Sequence, residues 1–210
     1  IRFYNRALSA SEVSALYALE SQPFDQFSTV QIVDSNVTGV SSRGSHALFQ
    51  KTDGSLWAMG ANEYGQLGDG TTTDRHTPIQ IVDENVTTFS AGGDHSRFVQ
   101  EDGSLWAMGR NHAGQIGDGT NTDRPSPVKV VNSGVANVAS GLSHGYYLTI
   151  SGDLWAMGWN ADGQLGDGTV TNRNTPVQVL NGSDVSKVSA GSKEGYFIKE
   201  DGTAWAMGRN

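Results

Sequence analysis

Two kinds of side chain recur in this sequence at a constant interval and are of types that could do chemistry. The aspartates are Asp69, Asp118 and Asp167, each inside a Gly-Asp-Gly loop, and the histidines are His46, His95 and His144, all at steps of 49 residues. Glycine-rich loops can hold phosphate, carboxylates are calcium ligands and imidazoles are zinc ligands. The spacing and surroundings of these residues decide among the three.

A phosphate site is not predicted. The segment "LWAMGANEYGQLGDGT", residues 56–71, is a strand-like run followed by a glycine-rich loop. A P-loop ends in Gly-Lys-Ser or Gly-Lys-Thr and enters a helix, whereas here three threonines follow the last glycine. The βαβ pattern of a dinucleotide site is also missing. We therefore predict no nucleotide and no cofactor.

A metal site is not predicted either. The loops lack the alternating acids and distant glutamate of an EF-hand, and the third copy has Asn172 where the others have a second aspartate. The histidines belong to different repeats, and packed sheets lie ~10 Å apart, whereas zinc needs each nitrogen at ~2.0–2.1 Å. The fourth copy has Glu194 in place of histidine. We predict structural roles: the aspartates form turns, pairs such as Asp74–Arg75 tie loops to a neighbouring blade, and the histidines bond across to the adjacent blade.

No catalytic residue can be identified. The run from Asp53 to Trp57 is close to the Asp-box of sialidase propellers but has one residue fewer before the tryptophan. Every repeated acid has an explanation as a turn residue, so no carboxylate pair stands out, and no histidine has the setting of a Ser-His-Asp triad. We expect a protein that is not an enzyme.

The repeat itself is the strongest signal in the sequence. "WAMG" begins at Trp57, Trp106, Trp155 and Trp205, which we expect to be structural residues of the repeat. The units run over 31–79, 80–128 and 129–177, with a partial unit at 178–210. Repeats of this period form stacked supersecondary units.

Each unit has the pattern of four short strands. In the second unit these are 80–82, 86–91, 95–100 and 104–109, with a hairpin across Asp102-Gly103. Pro125 and Pro127 are expected to discourage strand pairing after the glycine-rich loop. The pattern predicts an all-β fold made of β-propeller blades, each with four antiparallel strands.

The order of motifs resembles the repeat of the regulator of chromosome condensation family. The matching residues are Gly93-Asp94-His95, Asp102-Gly103, Trp106 to Gly109, Asn111, Gly114 to Gly117 and Asp123-Arg124. The resemblance covers about residues 31–210 and implies a seven-bladed propeller. The chain would then hold about half of the ring, with the remaining blades in a longer protein.

Residues 1–22 differ from the repeats. They resemble the last strand and closing helix of a laminin-G-like, concanavalin-type jelly roll, with a capping box over Ser9 to Glu12 and one short helix; an ordinary strand and amphipathic helix is the alternative. Residues 23–30 are expected to be a linker. A jelly roll joined to a propeller suggests a secreted or cell-surface bacterial protein.

Charge and hydropathy exclude two partner classes. The chain has a formal net charge of −8, so a nucleic acid partner is not expected. No segment reaches the ~20 consecutive apolar residues that span a membrane. The absence of cysteine excludes disulfides and thiolate sites.

Positions that vary between copies of a fixed framework are the candidates for function. In the loop after "WAMG" the partner-binding candidates are Glu63, Tyr64, Arg110, His112, Trp159 and Asp162. Arg, Trp and Tyr are enriched at binding hot spots, although unconstrained surface variation is the alternative. We predict a module that binds a protein partner through these loops. Nucleotide exchange on a small GTPase, which some family members promote, and glycan binding or processing remain alternatives, as does a structural spacer.

Overall fold

Residues 30–179 and 181–209 are described by the computed structural model, and their regular structure is entirely β. The chain divides into a unit spanning Ile1–Ser35 and a second unit, Asn36–Asn210, which holds every described strand. The predicted jelly-roll end, its helix and residues 23–29 of the linker lie outside the described residues. Among the described residues, no helix could cross a membrane.

The strands form four separate antiparallel sheets, each one blade. Sheet 1 contains β1 (Val37–Arg43), β2 (His46–Lys51), β3 (Leu56–Gly60) and β4 (Arg75–Val82). Sheet 2 contains β5 (Val86–Ala91), β6 (His95–Gln100), β7 (Leu105–Gly109) and β8 (Arg124–Val131). Sheet 3 contains β9 (Val135–Ser140), β10 (His144–Thr149), β11 (Leu154–Gly158) and β12 (Arg173–Gln178). Sheet 4 contains β13 (Val185–Ala190), β14 (Glu194–Lys199) and β15 (Ala204–Gly208).

The predicted fold class is confirmed, since the sheets have the strand order of a meander and do not close a ring within the described residues. The predicted hairpin also forms. The strands β6 and β7 pair from His95–Gly109 to Val99–Leu105, and Gly103 between them has a φ of 73°, a conformation that favours glycine. The prediction of four strands holds for the first three sheets, and sheet 4 has three described strands.

The prediction about the prolines holds for residues 125–127, which have no partner on β7, but the strand continues past them. Pro125 and Pro127 lie inside β8, which pairs with β7. The strand tolerates them because it is the edge strand of its sheet, where an imino nitrogen need not donate, and because the pairing skips residues in this stretch. Residues 80–82 lie at the end of β4, so the outer strands of sheets 1 to 3 end in the first residues of the next sequence repeat.

The core lies between consecutive sheets. One face of sheet 1, with Leu48 and Leu56, packs on Phe98 and Met108 of sheet 2, and all four side chains are buried. In each sheet a tryptophan stacks on the aromatic residue opposite it on the neighbouring strand, as Trp106 does on Phe98 with ring centroids 6.2 Å apart. The predicted structural tryptophans Trp57, Trp155 and Trp205 make the same stack on Phe49, Tyr147 and Phe197.

Backbone hydrogen bonds connect the sheets at both ends. At the hairpin end, the carbonyl of a turn glycine accepts from a valine amide in the next sheet: Gly54 from Val86, Gly103 from Val135 and Gly152 from Val185. At the opposite end, the glycine-rich loop contacts the outer strand of the next sheet, where the Gly70 amide donates to the Pro125 carbonyl over 2.9 Å. Each loop is therefore held at the junction of two blades.

Candidate functional site

The glycine-rich loops are organised around a buried asparagine. In the second copy, the Asn111 side chain is fully buried, and its Nδ2 donates to Asp118 and to the Thr120 and Thr122 carbonyls. Its Oδ1 accepts from the Ile116 amide over 2.9 Å. Asn62 and Asn160 make the same set of bonds in the other two loops. The asparagine therefore fixes the loop from within.

The three repeated aspartates complete this network. Asp118 accepts from Thr120 and, over 2.6 Å, from Nε of Arg124, and Asp69 and Asp167 bond Arg75 and Arg173 in the same way. Partial burial would raise the pKa of Asp118, but the hydrogen bonds from Thr120 and Arg124 outweigh it and hold the pKa below its ordinary value.

The expected Asp74–Arg75 tie to a neighbouring blade is not found. Asp74 instead accepts from the Asn62 amide, and Arg75 pairs with Asp69 inside the same loop. Arg75 starts β4 immediately after the loop, so its guanidinium lies within reach of Asp69 in that same loop. Asp123 and Asn172 repeat the bond of Asp74, because an amide oxygen accepts as well as a carboxylate does.

The variable loop residues meet in pairs across the blade junctions. Arg110 of sheet 2 stacks its guanidinium on the ring of Tyr64 from sheet 1, at 4.4 Å, and forms an ion pair of 3.2 Å with Asp94. His112 of sheet 2 lies beside Trp159 of sheet 3, with ring centroids 6.4 Å apart.

The third junction has an ion pair. Asp162 of sheet 3 lies 3.7 Å from Nζ of Lys193 in sheet 4. We call the six residues Tyr64, Arg110, His112, Trp159, Asp162 and Lys193 the rim row. Five of them were candidates from the sequence. Four of these five contact one another in two pairs across the junctions, and the fifth, Asp162, pairs with Lys193. Glu63, the sixth candidate, is exposed beside Tyr64.

Sequence reasoning missed three residues at this end of the sheets: Asp94, Leu142 and Lys193. They lie in the turns that precede β6, β10 and β14, and the backbone joins these turns to the variable loops. The Arg110 amide donates to the Asp94 carbonyl and the Trp159 amide to the Ser143 carbonyl, each over 2.8 Å. The available signal was that this turn position also varies, as Ser45, Asp94, Ser143 and Lys193.

The repeated histidines lie at the start of β2, β6 and β10 and are buried, and in the described part of the chain the side chain of the first makes a hydrogen bond to the adjacent blade. Nε2 of His46 lies 2.8 Å from Oγ of Ser96, and this hydroxyl donates to the Gln66 carbonyl, so His46 is the donor. Burial lowers the pKa of His46 to about 4, which keeps the ring neutral.

The second and third histidines have other surroundings. Nε2 of His95 lies 2.8 Å from Nη1 of Arg97 in its own strand, and the arginine must be the donor. Neither ring nitrogen of His144 has a hydrogen-bond partner among the described residues, and its ring lies edge-on to Tyr146. Burial lowers the pKa of His144 to about 4.

A buried position two residues after the histidine supports the loops. In sheet 2 it is Arg97, which donates to the Gln115 carbonyl and to Oγ of Ser140, and in sheet 3 it is Tyr146, whose hydroxyl donates to the Gln164 carbonyl. The guanidinium of Arg97 and the hydroxyl of Tyr146 occupy the space that a side chain on the facing glycine would fill. A Cβ on Gly145 would overlap Arg97, and one on Gly195 would overlap Tyr146.

In sheet 1 the loop carbonyl is bonded in a different way. Its equivalent residue, Leu48, has no polar head, and the Gln66 carbonyl is bonded by Ser96 of the next sheet. Leu48, which has no polar group, thus faces a serine. The longer polar side chains of Arg97 and Tyr146 face glycines. The loops that carry the rim row are held in both cases by a bond to the same backbone oxygen.

In the described part of the chain, no group of three or more His, Asp or Glu side chains is placed to hold a metal ion. The arrangement at the rim offers instead an exposed aromatic ring, paired charges and small apolar groups, which are the elements of a recognition surface.

Comparison with known proteins agrees with this geometry. The family model described as "Regulator of chromosome condensation (RCC1) repeat" matches residues 53–99, 102–148 and 151–194, and a second model of the same description matches 135–164. No curated protein sequence matches the chain.

Solved structures share the fold. The structure of human WBSCR16 superposes with a TM-score of 0.72 at 25% identity, covering 82% of this chain and 47% of that protein. Yeast RCC1 (Prp20) bound to Kap60 superposes with a TM-score of 0.73 at 20% identity, covering 85% and 45%. Prp20p from Saccharomyces cerevisiae, in a study of its binding to Gsp1p and histones, gives 0.69 at 22% identity, covering 85% and 46%.

This chain spans about half the length of each of these proteins. The family matches together cover more than half of the chain, and the sheet order, the hairpin turns and the loop scaffold repeat at the same interval. The chain belongs to the family of regulator of chromosome condensation repeat proteins.

Proposed function

We propose that this chain is a non-enzymatic binding module that recognises a protein partner through the loops at one end of its sheets. The observation that carries the proposal is the pairing of variable residues across every described junction, from Tyr64–Arg110 to Asp162–Lys193. Residues that differ between copies are free of the framework, yet here they meet in pairs at each described junction, on a scaffold held by repeated hydrogen bonds. A rigid row of varied side chains is what repeat proteins use for recognition.

Site-specific photo-crosslinking tests this proposal. A benzoylphenylalanine at the exposed loop position Ala161 should crosslink a discrete protein in extracts of the cells that produce the chain. The matched control is the same group at Ile150, which is 80% exposed in the hairpin turn at the opposite end of sheet 3. The crosslink at position 161 should disappear when Arg110→Ala and Trp159→Ala are combined. Identical products at both positions would contradict a specific surface at the rim and favour a spacer.

Nucleotide exchange on a small GTPase is a second candidate. It is supported by the resemblance to a family in which some members promote exchange, and by the Prp20p structure, whose description names binding to Gsp1p. The test is the release of a fluorescent GDP analogue from a panel of small GTPases in the presence of the protein. Accelerated release that Trp159→Ala abolishes would favour exchange, and unchanged release across the panel would remove it.

A glycan is the third candidate partner, because the exposed indole of Trp159 offers a face on which a sugar ring could stack. Binding on a glycan array that is lost with Trp159→Ala would support it, and an array without binding would exclude it. We also propose a secreted or cell-surface location, based on the laminin-G-like resemblance of residues 1–22. Labelling of the protein on intact cells with a membrane-impermeant reagent would support this location.

A further inference from the structure

The rim row has an apolar centre at the junction of sheets 2 and 3. Trp159 is 37% exposed and Leu142 is 46% exposed, and His112 lies against the indole. Leu142 precedes Ser143, whose carbonyl accepts the Trp159 amide, so both exposed side chains belong to one junction. In the other copies the position of Trp159 is taken by Ala61 and Arg110, so the fold does not require an indole there. A partly exposed indole that the framework does not require is a candidate contact residue, because tryptophan is enriched at binding hot spots.

The charges on the two sides of this centre differ. The loops and turns of sheets 1 and 2 carry four carboxylates outside the Asp–Arg loop pairs, namely Glu63, Asp74, Asp94 and Asp123, against one guanidinium, Arg110. Two further cations lie near this end of the sheets: Arg43 donates to the Ala190 carbonyl of β13, and Arg97 is fully buried beneath the loop of sheet 2. Among the side chains that reach the surface on this side of the rim, carboxylates therefore outnumber cations.

On the side of sheets 3 and 4 the charges are balanced. Asp162 pairs with Lys193, the carboxylate of Glu194 accepts from the Lys193 amide, and Arg209 is exposed in the next loop. The whole chain has a formal net charge of −8. This charge attracts cationic partners and repels anionic ones during encounter.

The row also contains an internal example of the contact that a basic partner would make. The Arg110 guanidinium lies between the ring of Tyr64 and the carboxylate of Asp94. An aromatic face next to a carboxylate is a favourable site for an arginine or lysine side chain, because the ring quadrupole and the carboxylate both attract the cation.

We propose that the rim row binds a basic protein segment with an apolar anchor. The anchor contacts Trp159 and Leu142, and the basic residues lie over the acidic loops of sheets 1 and 2. This inference rests on the proposed function and adds the chemical class of the partner and its orientation along the row.

Selection from a library of random 16-residue peptides displayed on phage tests the inference, with the chain immobilised and no variant of the rim row used during selection. The selected peptides should carry a net positive charge and at least one aromatic or large aliphatic residue. Their dissociation constants, measured by fluorescence polarisation, should rise at least tenfold with Trp159→Ala and three- to tenfold with Glu63→Gln combined with Asp94→Asn. Binding should weaken as salt rises.

Two control variants lie at the opposite end of the sheets. Glu101→Gln removes an exposed carboxylate before β7, whereas the rim loop follows β7, and Ile150→Ala removes an exposed apolar side chain in the turn before β11. Both should leave the dissociation constants unchanged.

The outcomes separate this inference from the function on which it rests. Selected peptides that are neutral or acidic, but still need Trp159, would overturn the inference and leave the binding module intact. Peptides that bind regardless of Trp159 and Arg110 would overturn both. Selection of no peptide would overturn the inference, and the crosslinking at position 161 would then decide the proposed function separately.

Discussion

The guanidinium of Arg97 in sheet 2 occupies the space that a side chain on Gly145 in sheet 3 would fill. From this place Arg97 reaches the Gln115 carbonyl, Ser140 and His95, and no carboxylate lies within ion-pair distance among the described residues. Burial lowers the pKa of Arg97 to about 9. Hydrogen bonds alone thus stabilise this buried cation. The residue that faces it in the next blade is a glycine, which leaves room for the guanidinium.

The first prediction concerns this pair. Gly145→Ser alone should lower the free energy of unfolding by about 1–3 kcal/mol, because the added atoms overlap Arg97. Adding Arg97→Leu should recover most of this loss, since the two changes reproduce the Leu48–Ser96 pair, with a serine placed to bond the Gln115 carbonyl and His95. Urea unfolding of the single and double variants gives the coupling energy. Additive losses would contradict the pairing.

The second prediction isolates one hydrogen bond to a rim loop. Tyr146→Phe should lower the free energy of unfolding by about 1–3 kcal/mol, because the Gln164 carbonyl loses its donor in a buried setting. It should also speed hydrogen exchange at the amides of 163–166. Tyr147→Phe is the matched control, since its hydroxyl makes no hydrogen bond in the described part of the chain. Equal effects of the two variants would show that the bond to Gln164 does not support the loop.

The third prediction concerns pH. The pKa of His144 is lowered to about 4 from an ordinary value of 6.5, so the folded state stays neutral while the unfolded state takes up a proton. The stability contributed by the neutral ring is complete above pH 6.5 and is lost as the pH falls toward 4. Each such histidine adds a slope of up to about 1.4 kcal/mol per pH unit in this window.

The measurement is urea unfolding at a series of pH values between 4 and 7. His144→Asn should reduce the slope in this range. The same slope in the wild type and in His144→Asn would show that the folded state protonates this ring as readily as the unfolded state does.

The fourth prediction separates binding from folding at the rim. Arg110→Ala and Trp159→Ala should each change the free energy of unfolding by less than about 1 kcal/mol, because their contacts are partly exposed and surface ion pairs contribute little. Thermal and urea unfolding check this. A larger loss would mean that these residues hold the blades together, and binding defects of the same variants would then have a structural origin.

Local signals in the sequence predicted what depends on a few neighbouring residues. The hairpin at Asp102-Gly103, the strands around it and the repeat of the loops follow from turn chemistry and alternation within one copy. The prolines interrupt the pairing at 125–127 but do not end the strand, because β8 lies at the edge of its sheet, which only the sheet order shows.

The candidate site was predicted as a set of positions but not as a set of contacts. Variation between copies pointed to Tyr64, Arg110 and Trp159, but their pairing arises between residues about one repeat apart, on different sheets. The relation between Arg97 and Gly145 was likewise invisible, because neither residue is unusual without the other. An arginine in a strand position filled by leucine or tyrosine elsewhere was the one available sign.

The alternation of Leu48–Ser96, Arg97–Gly145 and Tyr146–Gly195 limits how such a gene can recombine. Loss of the third repeat would bring Arg97 against Gly195, and the facing residue would still be a glycine that leaves space for the guanidinium. Loss of the second repeat would bring Leu48 against Gly145, which leaves a void, deprives the Gln66 carbonyl of its donor and removes the hydroxyl that His46 bonds. Copies that share the same motifs are therefore not interchangeable in the protein, and the loss of a repeat is tolerated at one boundary and penalised at another.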